Sequence, residues 1–348
     1  MTVPTAELTS IILLATVAFL IAILWAPSLI KFLRAAKMGK GIRSAEEAPI
    51  YAQMHAKKAG TPTMGGILIW VTVLLLAFLP SILPGFDDIN FLSRKETWLP
   101  LGALVASALV GLVDDYLNVK RIGPHGGGIR ARHRLFLYTV IASIGAWWFF
   151  YKLDWDLLHV PFFGTFALGW WYIPIFIIII VATSFSVNEA DGLDGLAGGL
   201  LLAAYGAFGA IAFAQGKYDL AALCAVIVGA IVAFLWYNIH PARFFLGDTG
   251  AMSLGVTLGI VAMLTNYALL LPIICLPFVI ESVSVIIQIL SKKFRNKKVF
   301  RVAPIHHHFE AIGWPEPQIV MRAWMIAGVT AVVGLALALA DMVTYLPI

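Results

Sequence analysis

The chain of 348 residues is 61% hydrophobic, holds only 19 Asp and Glu, and carries a formal net charge of +5. Its mean hydropathy of +0.90 excludes an ordinary soluble enzyme, in which about 45–50% of residues are apolar. The two cysteines, Cys224 and Cys275, lie inside apolar segments and read as small core residues rather than a disulfide framework.

Apolar runs of about 20 residues read as membrane-spanning helices, because lone strands leave backbone groups unpaired in lipid. Ten follow in chain order: 8–33, 64–83, 97–114, 135–152, 170–187, 196–214, 219–237, 249–265, 269–290 and 322–341. The first is too long for a signal-peptide core and has no small-residue cleavage pattern. The expected fold is all-α: a single polytopic membrane domain over 1–348 with about ten transmembrane helices, and no soluble domain of useful size.

Of the 24 Lys and Arg, 20 fall in alternate connections: seven in 31–62, five in 116–134, Arg243 in 238–248, and seven in 291–322. The opposite connections hold Arg94, Lys95, Lys152 and Lys217. The positive-inside rule makes the first set cytoplasmic. Ten spans then leave both termini outside. Asp87-Asp88, after Pro84-Gly85, falls in an outer loop and reads as a solvated turn.

Five other carboxylates sit at the ends of apolar segments on the basic side: Asp114, Asp115, Asp191, Asp194 and Asp248. Ionisable groups at membrane depth cost about 2.5–3.5 kcal/mol each on insertion scales and mark functional sites. Lys57-Lys58 leads into Gly-Thr-Pro-Thr63-Met-Gly-Gly and suits either head-group anchoring or a substrate phosphate. Asp114 and Asp115 project about 100° apart on a helix, so one could act on a ligand while the other orients a neighbour.

In Asn188-Glu-Ala-Asp191-Gly-Leu-Asp194-Gly, the two aspartates are spaced to share a face if the segment is helical. Its glycines would open backbone N–H groups to an anion. The stretch is neither a Walker loop nor a dinucleotide fingerprint. Asn238 precedes Phe244-Phe245-Leu-Gly-Asp248-Thr-Gly, where Asp248 fits either an N-cap or a ligand. Phe245 could stack on a base or join an interfacial aromatic belt. His306-His307-His308 lacks the spacing that holds one metal from a helix and suits phosphate hydrogen bonding better. Together these groups suggest Mg²⁺-assisted phosphoryl transfer at the cytoplasmic surface.

Five of these motifs closely resemble those of the phospho-N-acetylmuramoyl-pentapeptide transferases, bacterial membrane enzymes: 57–66, 111–116, 188–199, 245–252 and 303–310. Their order is shared along nearly the whole chain. The resemblance implies that UDP-N-acetylmuramoyl-pentapeptide and undecaprenyl phosphate give lipid I and UMP, with Mg²⁺ required. It implies Asp248 as the Mg²⁺ ligand, Asp114 as the base with Asp115 supporting it, and His306 near the phosphates. The nucleoside pocket would use Lys58, Asn188, Asp191, Asp194, Asn238 and Phe245, with Thr63, Gln288 and His307 as weaker contacts.

The resemblance also implies the bacterial cytoplasmic membrane, a cytoplasm-facing site, a homodimer and no nucleic-acid partner. One departure is Asn118, where family members often carry Lys; Lys120 and Arg121 follow it. The last cytoplasmic loop separates this reading from a sister enzyme moving N-acetylglucosamine-1-phosphate. Charges at one interface rather than the midplane separate it from a transporter.

Overall fold

The computed structural model describes residues 4–39, 58–82, 91–92, 95–123 and 127–345. Lys57, Asp87 and Asp88 lie outside the described residues. The helices are α1 (Thr5–Ala35), α2 (Gly66–Ile82), α3 (Lys95–Val119), α4 (Ala131–Lys152), α5 (Tyr172–Ala190), α6 (Leu196–Ala214), α7 (Tyr218–Asn238) and α8 (Gly247–Thr265). They continue with α9 (Leu271–Ile274), α10 (Leu276–Arg295), α11 (Ile305–Ala311) and α12 (Glu316–Tyr345). A two-stranded antiparallel hairpin, β1 (Leu157–Val160) with β2 (Gly164–Ala167), joins α4 to α5.

Each expected span coincides with a helix. Among the described residues, eight helices are long and apolar enough to cross a bilayer alone, and α2 is a shorter apolar helix. The ninth expected span, 269–290, is not one straight helix: α9 and α10 bend by 84°. Cys275 lies at the break and Pro277 enters the first turn of α10. Proline removes a backbone donor and clashes with the preceding turn, so the helix restarts there in a new direction. Leu24, Ile178, Trp236, Val329 and Val332 are exposed on helix faces, as lipid contact requires.

The central column is α8, almost wholly buried. It packs against α3 and α5, while α7 holds α1 and α6, and α12 lies on α6. α8 stops where Asn266 adopts a left-handed conformation (φ 58°). Its side chain then accepts the His159 N–H at 3.0 Å, tying β1 to the end of the column. The buried carboxylate of Asp341 on α12 completes that end, accepting from Phe162 N–H at 2.5 Å and Tyr267 O–H at 2.6 Å. His159 Nε2 lies 2.6 Å from the same carboxylate.

Small residues decide how the other end is built. A Cβ on Gly111 of α3 would lie 2.3 Å from Asp248 O, and one on Gly66 of α2 would lie 2.2 Å from Gly250 Cα. Only glycine lets these backbones touch. That contact sets the C-terminal turns of α3 against the first turn of α8.

Candidate active site

Gly111 precedes Asp114 and Asp115 by about one helical turn, so its contact brings the acidic pair to Asp248. The two aspartates have different partners. Asp115 is buried, accepting from Thr63 Oγ1 at 3.1 Å and from Thr249 N–H at 3.0 Å. It caps α8 from a neighbouring helix and ties down the segment entering α2. Asp114 is fully buried, accepts from Ile129 N–H at 2.7 Å, and faces Arg134 Nε at 3.2 Å.

Arg134, in the first turn of α4, is the centre of this end. Its Nη1 also lies 3.2 Å from Asp248 Oδ1 and donates to Asn188 Oδ1 at 2.7 Å. Asn188 Nδ2 donates to Asp248 Oδ1 at 2.6 Å, and Asn118 Nδ2 reaches the other Asp248 oxygen at 3.4 Å. Asp248 lies in the first turn of α8, whose N-cap is Leu246, and makes no side-chain cap. Its carboxylate instead faces Arg134 and the two asparagines.

Sequence reasoning counted Arg134 only as one basic loop residue. A cation at the head of an apolar helix was the available signal, because its cost marks function. Asn118 touches Asp248, whereas Lys120 lies over the Tyr116 ring at 5.8 Å. The guanidinium beside Asp114 and Asp248 therefore comes from α4.

The 188–199 segment corrects one expectation. Asp191 and Asp194 do not share a helix face, because α5 ends at Ala190, Gly195 takes φ 81°, and α6 begins at Leu196. Asp191 accepts from Gly247 N–H at 3.2 Å, supporting the residue before Asp248. Asp194 turns the other way, to Lys58 Nζ at 2.7 Å and His240 Nδ1 at 3.0 Å. Two of the turn's N–H groups are taken internally: Asp194 N–H by Glu316 at 2.7 Å, and Gly195 N–H by Asn238 Oδ1 at 2.9 Å.

Lys58 bridges Asp194 and Glu316, the latter at 2.5 Å, and its ammonium sits 6.0 Å from the Phe245 ring centroid. Burial acts to lower its pKa, but Glu316 and Asp194 outweigh it and hold the group above its ordinary 10.5. Asp194, His240 and Glu316 offer ligand atoms within 4.8 Å of one another. The ammonium of Lys58 already bridges two of these carboxylates.

The remaining candidates shape the surrounding loops. Asn238 Nδ2 donates to Phe244 O at 2.8 Å. Gln288 donates to Phe300 O at 2.9 Å and accepts from Val299 and Phe300 N–H at 3.0 Å, fixing the segment before the histidines. The three histidines lie on α11 with separate partners. His306 Nδ1 is 2.9 Å from Glu281, His307 Nδ1 is 2.7 Å from Glu310, and His308 Nδ1 accepts from Arg301 N–H at 3.2 Å. Glu281 was not singled out by sequence, since it is an isolated acid within a helix, and Glu316 was read only as the end of the last cytoplasmic loop.

Residues 97–266 match the sequence model of glycosyl transferase family 4, and 58–69 match phospho-N-acetylmuramoyl-pentapeptide-transferase signature 1. A phospho-N-acetylmuramoyl-pentapeptide-transferase of Chloroflexus aurantiacus is 39% identical, covering 94% of this chain and 89% of its own length. One from Geobacillus kaustophilus is 40% identical over 94% of this chain and 97% of its own. The chain belongs to this family. It is a phospho-sugar transferase and a multi-pass bacterial membrane protein. The signature covers Lys58 and Thr63, and the longer match covers Asp114, Asp115, Asn188, Asp191, Asp194, Asn238, Phe245 and Asp248. Gln288, His306 and His307 lie beyond both.

Proposed function

We propose that the Arg134-centred cluster transfers phospho-N-acetylmuramoyl-pentapeptide from its UDP conjugate to undecaprenyl phosphate, giving lipid I and UMP. The family reaction is a step of lipid I synthesis. The observation that carries the reading is the convergence of Asp114, Asp248, Asn188 and Arg134 within hydrogen-bond reach at one end of the bundle. The connections on that side carry 20 of the 24 Lys and Arg, so the site faces the cytoplasm and both termini face outside.

The residues present suit Mg²⁺. Asp248 is a hard oxygen donor that makes no cap, and 16% of its side chain is exposed. Mg²⁺ takes one or two carboxylates and completes its shell with water and substrate phosphates. Asp248 would hold the ion, which when bound neutralises charge on the phosphate oxygens. Asp114 accepts the proton of the lipid phosphate, whose oxygen then attacks the sugar-linked phosphorus as UMP leaves. Arg134, already paired to both aspartates, is positioned to meet the developing phosphate charge. Asp115 and Thr63 keep the two helix ends in register.

Phe245 stacks on uracil, with Lys58, Asn188, Asp191, Asp194 and Asn238 around the nucleoside. Gln288 and His307 support the last loop, and His306 faces the phosphates. Active-site loops 31–63, 114–134, 188–199, 238–250 and 291–321, of which 40–57 and 124–126 lie outside the described residues, serve one domain, and two copies form a homodimer in the bilayer.

The test is UMP release by purified, detergent-solubilised protein with Mg²⁺ and undecaprenyl phosphate. One arm holds UDP-N-acetylmuramoyl-pentapeptide and the other UDP-N-acetylglucosamine. Release in the first arm alone, abolished by EDTA, is expected. Release in the second alone would move the chain to the sister activity.

A further inference from the structure

His306 is held on one nitrogen only. The ring is 1% exposed, with Nδ1 2.9 Å from Glu281 Oε2. Its Nε2 is buried and has no hydrogen-bond partner among the described residues. Leaving such an atom unpaired is costly, and the fold gains from it only where a ligand completes the contact. The atom faces the glycine turn of the site: a Cβ on Gly192 would lie 2.2 Å from it. Asp191, next in the chain, reaches Gly247 N–H at 3.2 Å, and Gly247 precedes Asp248. Nε2 therefore lies against the same turn that supports the transfer centre.

Glu281 holds this ring from α10, on the far side of the 84° bend at Cys275. It is 6% exposed, and the Oε2 that meets Nδ1 also lies 3.4 Å from the His306 backbone N–H. One carboxylate oxygen thus fixes both the ring and its main chain. The neighbouring ring is accounted for: His307 packs 4.1 Å from His306, and its own Nδ1 lies 2.7 Å from Glu310. A carboxylate cannot donate to Nδ1, so the proton of that hydrogen bond belongs to the imidazole. With Nδ1–H committed, Nε2 donates only when the ring is an imidazolium.

We propose that Glu281 is a positioning residue for the transfer: it holds His306 doubly protonated, so that Nε2–H donates to a phosphate oxygen of the substrate. This rests on the phosphoryl-transfer reading above and adds a residue outside both family matches. Glu281→Gln keeps the shape and an acceptor for Nδ1–H but removes the charge.

The experiment compares full-length wild type, E281Q, E281A, H306Q and E281Q/H306Q. UMP release is measured with UDP-N-acetylmuramoyl-pentapeptide, undecaprenyl phosphate and Mg²⁺, beside thermal unfolding and imidazole ¹⁵N spectra. Loss of one phosphate donor predicts a fall of about 100-fold in kcat for E281Q. The double variant should fall no further than H306Q, because the two residues act as one unit. In the spectrum, the ring signal that H306Q removes should show both nitrogens protonated in wild type and not in E281Q. A kcat for E281Q within twofold of wild type, multiplicative losses in the double variant, or a wild-type His306 ring protonated on one nitrogen would each overturn the proposal. The spectrum does not depend on turnover. Absent UMP release with a doubly protonated ring would therefore sink the transferase reading and leave the Glu281 pairing standing.

Discussion

Gly111→Ala tests the idea that backbone contact between α3 and α8 builds the site. The added Cβ would lie 2.3 Å from Asp248 O, 2.5 Å from its carbonyl carbon and 2.6 Å from Thr249 Cα. All three are backbone atoms, so no side chain can swing aside. Ordinary van der Waals contact begins near 3.4 Å, so the helices must part by about 1 Å. Overpacking of this kind costs about 1–3 kcal/mol of stability. It also moves Asp114 away from Asp248, and a misplacement of about 1 Å costs about 100-fold in rate.

Gly102 on the same helix is the control, since a Cβ there meets nothing within 4 Å. Gly102→Ala should keep full activity and gain up to about 1 kcal/mol of helix propensity. The assay is steady-state UMP release with thermal unfolding of each variant. The reasoning fails if G111A turns over within twofold of wild type, or if G102A loses as much activity as G111A.

Arg134→Ala takes the guanidinium from a fully buried Asp114, and removing one partner of a buried pair costs about 3–5 kcal/mol. Both unfolding temperature and UMP release should collapse, while Arg134→Lys, with one compact ammonium for three partners, should recover only part of the rate; a wild-type rate in R134A would refute its central role. Lys58→Met removes an ion pair whose lysine titrates above 10.5, so its stabilisation is complete below the unfolded pKa and fades only as pH rises through the folded one. The stability gap between wild type and K58M should therefore stay level from about pH 7 to 9, a window well below lysine titration, and a gap closing there would contradict the pairing. Asp341→Asn places an amide against the Phe162 N–H and Tyr267 O–H donors and should cost about 1–3 kcal/mol. Its kcat should not change, because Asp341 lies about 37 Å along α12 from Glu316 at 1.5 Å per residue; a kcat loss at equal folded fraction would show that the hairpin end communicates with the site.

Much of this protein was legible before folding. Hydrophobic run length marks spans directly, since lipid demands about 20 apolar residues and internal backbone pairing. All ten segments coincide with helices, and only the bend at Cys275 was missed, where Pro277 is the local cause. The clustering of Asp114, Asp115, Asp191, Asp194 and Asp248 at segment ends was also readable, because ionisable groups near lipid stand out against an apolar background.

Partnership was not readable. The sequence alone determined which acids stand at the membrane edge and which loops carry the positive charge. Tertiary structure decided that Asp115 caps α8, that Asp191 and Asp194 turn apart, and that Arg134 rather than Lys120 or Arg121 meets Asp114 and Asp248. It alone joined Glu281 to His306 across 25 residues and Lys58 to Glu316 across 258. The physical reason is range. Hydropathy and helix spacing act within one segment, whereas an ion pair depends on which helix backbones approach closely, and here glycines on separate helices set that approach.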